Sequence, residues 1–504
     1  MTHSSSTGPV PANQSLDDQA SRRMLLTLGG AAALALLSSK AEAQTGGNPP
    51  GFEVSSQWRN PTNRLIRRLT NGIYPGDVAR GKQMGFQGFL DYHLDFGRID
   101  NSFVDNVIAT KFPKMAWTEA KLYDDRDQYD QYLQLVYSTI YRQCFSRRQL
   151  YERMVEFWTD HFNVHVDKVG APLMTTYIQK NIRRHAMGNF YNLLKSTAHS
   201  AAMLHYLDND ANSAYAPNIN YTRELHELHT VGVDGGYTGK DLRQASLVMS
   251  GWTWSWRSES YNRGRFRFEV DDHAGGTKKV MGQTYAEDGQ NEGEKLLVYL
   301  ANHPNTARFI TKKLINWFLG EGNWTTVWTN AQRAFLQSHG DIRTVLRVIL
   351  TQQNLMASNG KYKRPAHLLY SSFRGCGSRI NEFGSILYGP LFESGHVPFD
   401  WSPPDGYPDR FQFWAPSQMP RINTALRVAG NYIGQVQTDV VRVFGADRTP
   451  AGCLNTILQT LFGGEISVND RNKLSAFLQA QTITDQRLIE AVALALACPS
   501  FQWY

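Results

Sequence analysis

In RQLYERMVEFWTDH (148–161), Leu150, Met154, Phe157 and His161 recur at intervals of four, three and four residues, which puts them on one face of a helix. The same spacing recurs over 132–141, 294–301, 306–318, 342–350, 368–374, 454–462 and 474–477, and in IEAVALALA (489–497). The chain is therefore predicted to be mainly α, a multi-helix globular body. No repeat of 20 to 50 residues is present, so a solenoid is disfavoured.

Two stretches break the helical period. Between Gly251 and Tyr285 the polar and apolar positions alternate between glycines, which predicts a small β-hairpin excursion. On a strand, Trp252, Trp254 and Trp256 share one side; they form either a glycan-stacking platform or an apolar face packed on the helices. Residues 383–421 are dense in proline, glycine and aromatic residues, which predicts an irregular segment that is functional or acts as a clamp. It also suggests a boundary between a helical body and a C-terminal helical subdomain, 420–504.

The only long apolar run, 24–37, follows Arg22-Arg23 and precedes the small-residue pattern Ala41-Glu42-Ala43. It is too short and glycine-interrupted to span a bilayer, so residues 1–43 read as an export signal, and the arginine pair resembles a twin-arginine signal. Residues 44–56 then form a linker and 57–504 the folded domain. The protein is expected in the periplasm or secreted, with no stable transmembrane span once the signal is removed.

A net charge of +7 over 504 residues, with no run of five basic residues, argues against nucleic-acid binding. Four cysteines, Cys144, Cys376, Cys453 and Cys498, show no zinc spacing and read as buried thiols, or as at most two bridges.

The densest ionisable stretch is NYTRELHELHTVGVDGGYTGKD (220–241). On a helical wheel Tyr221, Leu225 and Leu228 form the apolar face, Glu224 and His229 border it, and Arg223, His226 and Glu227 point outward. His226 and His229 are three apart, so the zinc-protease helix motif fails, and GYTGKD lacks the first glycine and the final hydroxyl of a phosphate loop. His161 lies on an apolar face, where an unpaired ring would be costly. It is either a hydrogen-bonded core histidine or a ligand. Were His161, Asp208, Glu224 and His229 to converge, they would offer a shell suited to a divalent transition metal. No nucleophile elbow or dinucleotide motif is present.

The blocks ERMVEFWTDHFNV (152–164), MLHYLDND (203–210), NYTRELHELHTVGVDGGYTGKDL (220–242), SGWTW (250–254), HPNTARFITKKL (303–314), KRPAHLLYSSFR (363–374) and PDGYP (404–408) resemble, in this order, the family called domain of unknown function 1800 (DUF1800). The resemblance implies an exported, mainly helical bacterial protein. It also implies a partnership with a second exported family, DUF1501, which is similar to the alkaline phosphatase and sulfatase fold. Carried-over positions include His161, Asp208, Asn220, Arg223, Glu224, His229, His273 and Arg308, whereas Ile219 and His226 depart from the family pattern.

The leading expectation is an exported enzyme or enzyme subunit acting on an extracellular polymer or its fragments. Glu224 would be the general base or a ligand, His161 and His229 ligands or proton shuttles, and Arg223 or Arg308 an anchor for an anionic group. The alternative is a non-catalytic binding or assembly protein whose charges form buried ion pairs, such as Arg223 with Glu156 or Glu227.

Overall fold

The computed structural model describes residues 52–256 and 262–504, so residues 1–43, expected to be an export signal, and most of the expected linker lie outside the described residues. Helices dominate, and each expected periodic segment is one: Gln128–Phe145, Gln149–His161, Gln290–Ala301, Pro304–Leu319, Ile342–Ile349, Pro365–Gly375, Pro450–Phe462, Val468–Gln479 and Asp485–Ala497. Their starts follow local chemistry. Asp341, Thr449, Ser467 and Thr484 accept N-cap hydrogen bonds, and Pro304, Pro365 and Pro450 occupy first-turn positions where no backbone donor is needed.

The excursion at 251–285 holds two antiparallel ribbons. Trp252–Trp254 pairs with Phe266–Phe268, and Lys278–Val280 pairs with Gln283–Tyr285. Trp252 is fully buried against His199 and Phe266, Trp254 is half-buried beside Tyr123, and Trp256 is exposed. The three indoles thus grade from core to solvent, which is the packing arrangement and not a platform. A further pair, Arg379–Ile380 with Val436–Gln437, is too short to have a period in the sequence.

One hydrophobic cluster runs from Leu65 to Phe501, so the suggested boundary at 420 is not a gap in packing. Helix Gln418–Ala429 packs on Asp485–Ala497. The C-terminal residues pair with 361–363 through Lys361 N to Tyr504 O (2.8 Å), Tyr504 N to Lys361 O (2.8 Å) and Lys363 N to Gln502 O (2.9 Å). Arg68, from the first long helix, donates to Tyr504 O at 2.7 Å. All four cysteines are buried and free.

The irregular segment 383–421 is a clamp laid across the C-terminal end of the Gln149–His161 helix. Asn163 Nδ2 donates to Trp401 O (2.8 Å) and Pro403 O (2.7 Å), and Tyr407 OH donates to Val397 O (2.7 Å). Gly406 has φ +75°, and a Cβ there would lie 2.1 Å from Asp160 O. Only glycine lets the loop approach that carbonyl.

Candidate active site

The clamp, the end of the Gln149–His161 helix, the Pro304–Leu319 helix, residues 359–362 and Trp503 enclose a cleft of about 740 Å³. Asp160, His161 and Lys313 lie in its wall. Consecutive residues 160 and 161 differ in setting because the helix ends here: His161 lies on the buried face, and the Asp160 side chain stays 18% exposed.

Asp160 and Glu156, one helical turn apart, share the guanidinium of Arg364. Arg364 donates to Asp160 Oδ2 at 2.6 Å and to Glu156 Oε1, and Glu156 also takes Arg153 at 3.0 Å. The shared cation does not satisfy both carboxylates equally. Burial opposes charge on each, but Arg364 and Arg153 together hold Glu156 below its usual range. For Asp160, burial together with the charges of Glu156 and Asp409 outweighs Arg364, and its carboxyl is pushed up to about 6.

Lys313 Nζ lies 2.9 Å from His161 Nδ1, and His161 Nε2 lies 3.1 Å from the carbonyl of His229. An ammonium only donates and a carbonyl only accepts, so Nδ1 is the acceptor and Nε2 carries the proton. Burial, with Lys313 and His229 adding to it, keeps His161 neutral, well below the ordinary histidine value. Burial also lowers Lys313 to about 8, opposed by Asp160 and Asp405.

The remaining expected residues lie elsewhere. His229 does not line the cleft and meets His161 through its backbone carbonyl; its ring is buried, Nε2 has no partner, and burial followed by Lys313 lowers its pKa to about 3. Asp208 is half-exposed in the left-handed region (φ 59°), bound to Lys168 Nζ at 2.6 Å and Asn220 Nδ2 at 3.2 Å. Glu224 is half-buried and raised by burial and then by Glu227, Arg223 is exposed, and neither lines the cleft.

His161, Asp208, Glu224 and His229 therefore do not meet as one metal shell, and His161 turns no free lone pair toward a cation. Among the described residues, the group with metal-ligand spacing is His165, Asp167 and Asp400, whose two carboxylates are exposed. The ion pair expected between Arg223 and Glu156 is replaced by Glu156 with Arg364 and Arg153.

The helical wheel of the 220–229 stretch places Tyr221, Leu225 and Arg223 correctly but misplaces His226 and Leu228, for a specific reason. Asn220–Glu224 is α, but Leu225–His229 is a π turn, which inserts an extra residue and rotates the later side chains about the axis. His226 is consequently fully buried, donating from Nδ1 to Thr222 O (2.6 Å), while Leu228 is half-exposed. His273, also a carried-over position, is tied to Ser250 O (2.8 Å) and Glu292 Oε1 (3.0 Å) beneath the ribbons.

A family model described as protein of unknown function (DUF1800) matches residues 64–503. The chain belongs to the DUF1800 family. No curated protein and no solved structure matches it. Several walls of the cleft of this DUF1800 chain come from the blocks that carried the resemblance: Asp160 and His161 from 152–164, Lys313 from 303–314 and Asp405 to Pro408 from 404–408, with Arg364 from 363–374 bound to Asp160. Asp160, Lys313 and Arg364 were missed as site residues although each stands inside one of these blocks.

Another part of the lining is aromatic. Phe411 and Trp503 stack with ring centroids 5.2 Å apart and planes 26° from parallel, and Tyr362 meets both at 5.1 Å. Arg421, itself fully buried, lies 4.1 Å beneath the Tyr362 ring. Lys361 is buried in the wall, bound to Asp409 Oδ2 at 2.5 Å and to the carbonyls of Asn316 and Trp317.

Proposed function

We propose that this protein is an exported enzyme that performs proton-transfer chemistry on an extracellular polymer or its fragments, with Asp160 as general base and Lys313 as general acid. The observation that carries the reading is the pair itself. In one cleft wall a carboxyl is raised to about 6 and an ammonium lowered to about 8, which places both near neutral pH in the forms that a base and an acid require. His161 is a positioning residue: its neutral Nδ1 accepts from Lys313 and fixes the ammonium in the wall. Export rests on Arg22 and Arg23 ahead of the apolar run, and a DUF1501-like partner on family membership. The metal role expected for His161, Asp208, Glu224 and His229 is not carried forward, because their donors are dispersed or already bound.

The test is release of soluble product from a panel of extracellular polymers by the wild-type protein, Asp160→Asn and Lys313→Met. We expect turnover with a bell-shaped pH profile whose limbs fall near 6 and 8, reduced by roughly 10²- to 10⁴-fold in either folded variant. Turnover that both variants retain removes these roles. A folded wild-type protein that binds a polymer without turning it over establishes the non-catalytic binding reading instead.

A further inference from the structure

The cleft carries more information about its ligand than the proton-transfer pair alone. Its wall holds three cationic and four anionic side chains, one net negative charge. A polyanion such as a polyuronate or a nucleic acid would meet no excess of positive charge. A lipid chain would bury those charges against hydrocarbon, which is costly. An extended peptide would pair along an exposed strand edge, and the lining offers only the short ladder of 361–363 with 502–504 among the described residues.

What the wall does offer is an aromatic shelf, the Phe411–Trp503 stack with Tyr362 set edge-on to Phe411, together with hydrogen-bonding groups of both kinds. Neutral sugars have this dual character: pyranose rings present apolar C–H faces, while their hydroxyls both donate and accept around the perimeter. The shelf is fixed before any ligand arrives. Residues 361–363 pair with 502–504, and Arg421 braces Tyr362 from below. A pre-ordered shelf avoids the entropic cost of assembling one on binding. The volume of about 740 Å³ lies in the range of a site for a ligand of several rings and well above what one hexose fills.

We infer that the cleft binds a segment of a neutral, uncharged saccharide chain, with a sugar face packed on the outer face of the Phe411–Trp503 stack and the reacting linkage directed toward the Asp160 and Lys313 wall. The inference rests on the proton-transfer reading for that direction, but binding is tested separately. The aromatic sugar contact falls not on Trp252, Trp254 and Trp256, where the sequence leaves a platform as one of two alternatives, but on residues far apart in the sequence.

The experiment is calorimetric titration of full-length mature Asp160→Asn protein, which holds ligand without consuming it, with cellohexaose, chitohexaose, xylohexaose and maltohexaose. Oligogalacturonate of the same length is the anionic control. At least one neutral hexamer is expected to bind at micromolar to millimolar concentration and the anionic control to fail. Phe411→Ala should weaken binding roughly tenfold, as loss of a stacked ring predicts. Phe411→Leu, which keeps the apolar bulk but not the flat face, should weaken it similarly, with the fold checked by circular dichroism.

Absence of binding by all four neutral hexamers, or binding that both Phe411 variants leave intact, overturns the inference. Saccharide binding together with no turnover by wild type leaves this inference standing and defeats the acid–base roles. Turnover of a non-saccharide polymer does the reverse.

Discussion

Arg364 is where the charge balance of the site is set. Its side chain is 4% exposed and serves two carboxylates at once. Arg364→Met would leave Glu156 with Arg153 alone and Asp160 without its cation, and breaking such a buried pair from one side costs about 3–5 kcal/mol. Urea unfolding at neutral pH measures this; a loss below about 1 kcal/mol would mean that solvent screens the network.

Asp160 also gives a pH signature of known sign. Its folded value of about 6 exceeds the ordinary 3.8, so between those values the folded protein binds more protons than the unfolded chain. Its contribution to stability is fully present below about 4 and is lost as pH rises through about 6. The stability difference between wild type and Asp160→Asn, followed by urea unfolding from pH 4 to 7, should shift against the wild type across that window. Lys313 behaves oppositely: with a folded value near 8 against 10.5, stability rises with pH between the two.

At the scale of elements, the cleft depends on two local departures from regular structure. One is Gly406, whose positive φ and absent Cβ let the clamp rest on the carbonyl that ends the Gln149–His161 helix. Gly406→Ala combines left-handed strain of about 1–3 kcal/mol with a backbone collision. It should lower the melting temperature and abolish ligand binding together; an unchanged melting curve would show that the loop swings aside freely.

The other is the π turn at Leu225–His229. It turns the His229 carbonyl to His161 and, by fixing the His161 tautomer, sets which nitrogen faces Lys313. Helical periodicity anticipates the helices that bury one regular apolar face, but not Pro75–Leu94, Val166–Thr176 or Thr325–Gln337. It cannot anticipate a π turn, since nothing in the order of Leu, His and Glu marks the inserted residue. The burial of His226 and the outward shift of Leu228 were therefore illegible.

For the molecule as a whole, the continuous core and the four buried thiols predict indifference to redox conditions. Burial raises the pKa of all four cysteines, so none should react quickly with a thiol reagent in the native state, four should react after denaturation, and reductant should leave the melting temperature unchanged. Rapid labelling of any thiol in the native protein would contradict the packing described. Among the described residues no helix is long and apolar enough to cross a membrane.

The sequence by itself determined the class of the protein. Apolar spacing is a local property, and it fixed a mainly helical body, the ribbons at 251–285 and the clamp-like character of 383–421. The order of its motif blocks determined the family. Tertiary structure decided the site, because Asp160, Lys313, Arg364, Asp409, Phe411 and Trp503 are separated by up to hundreds of residues, and their shifted protonation arises from burial and shared charge that exist only after folding. The stretch richest in ionisable residues, 220–241, drew attention by composition. Chemistry depends instead on which groups the fold desolvates together, and those come from the end of the Gln149–His161 helix, the middle of Pro304–Leu319, the start of Pro365–Gly375 and one glycine-bearing loop.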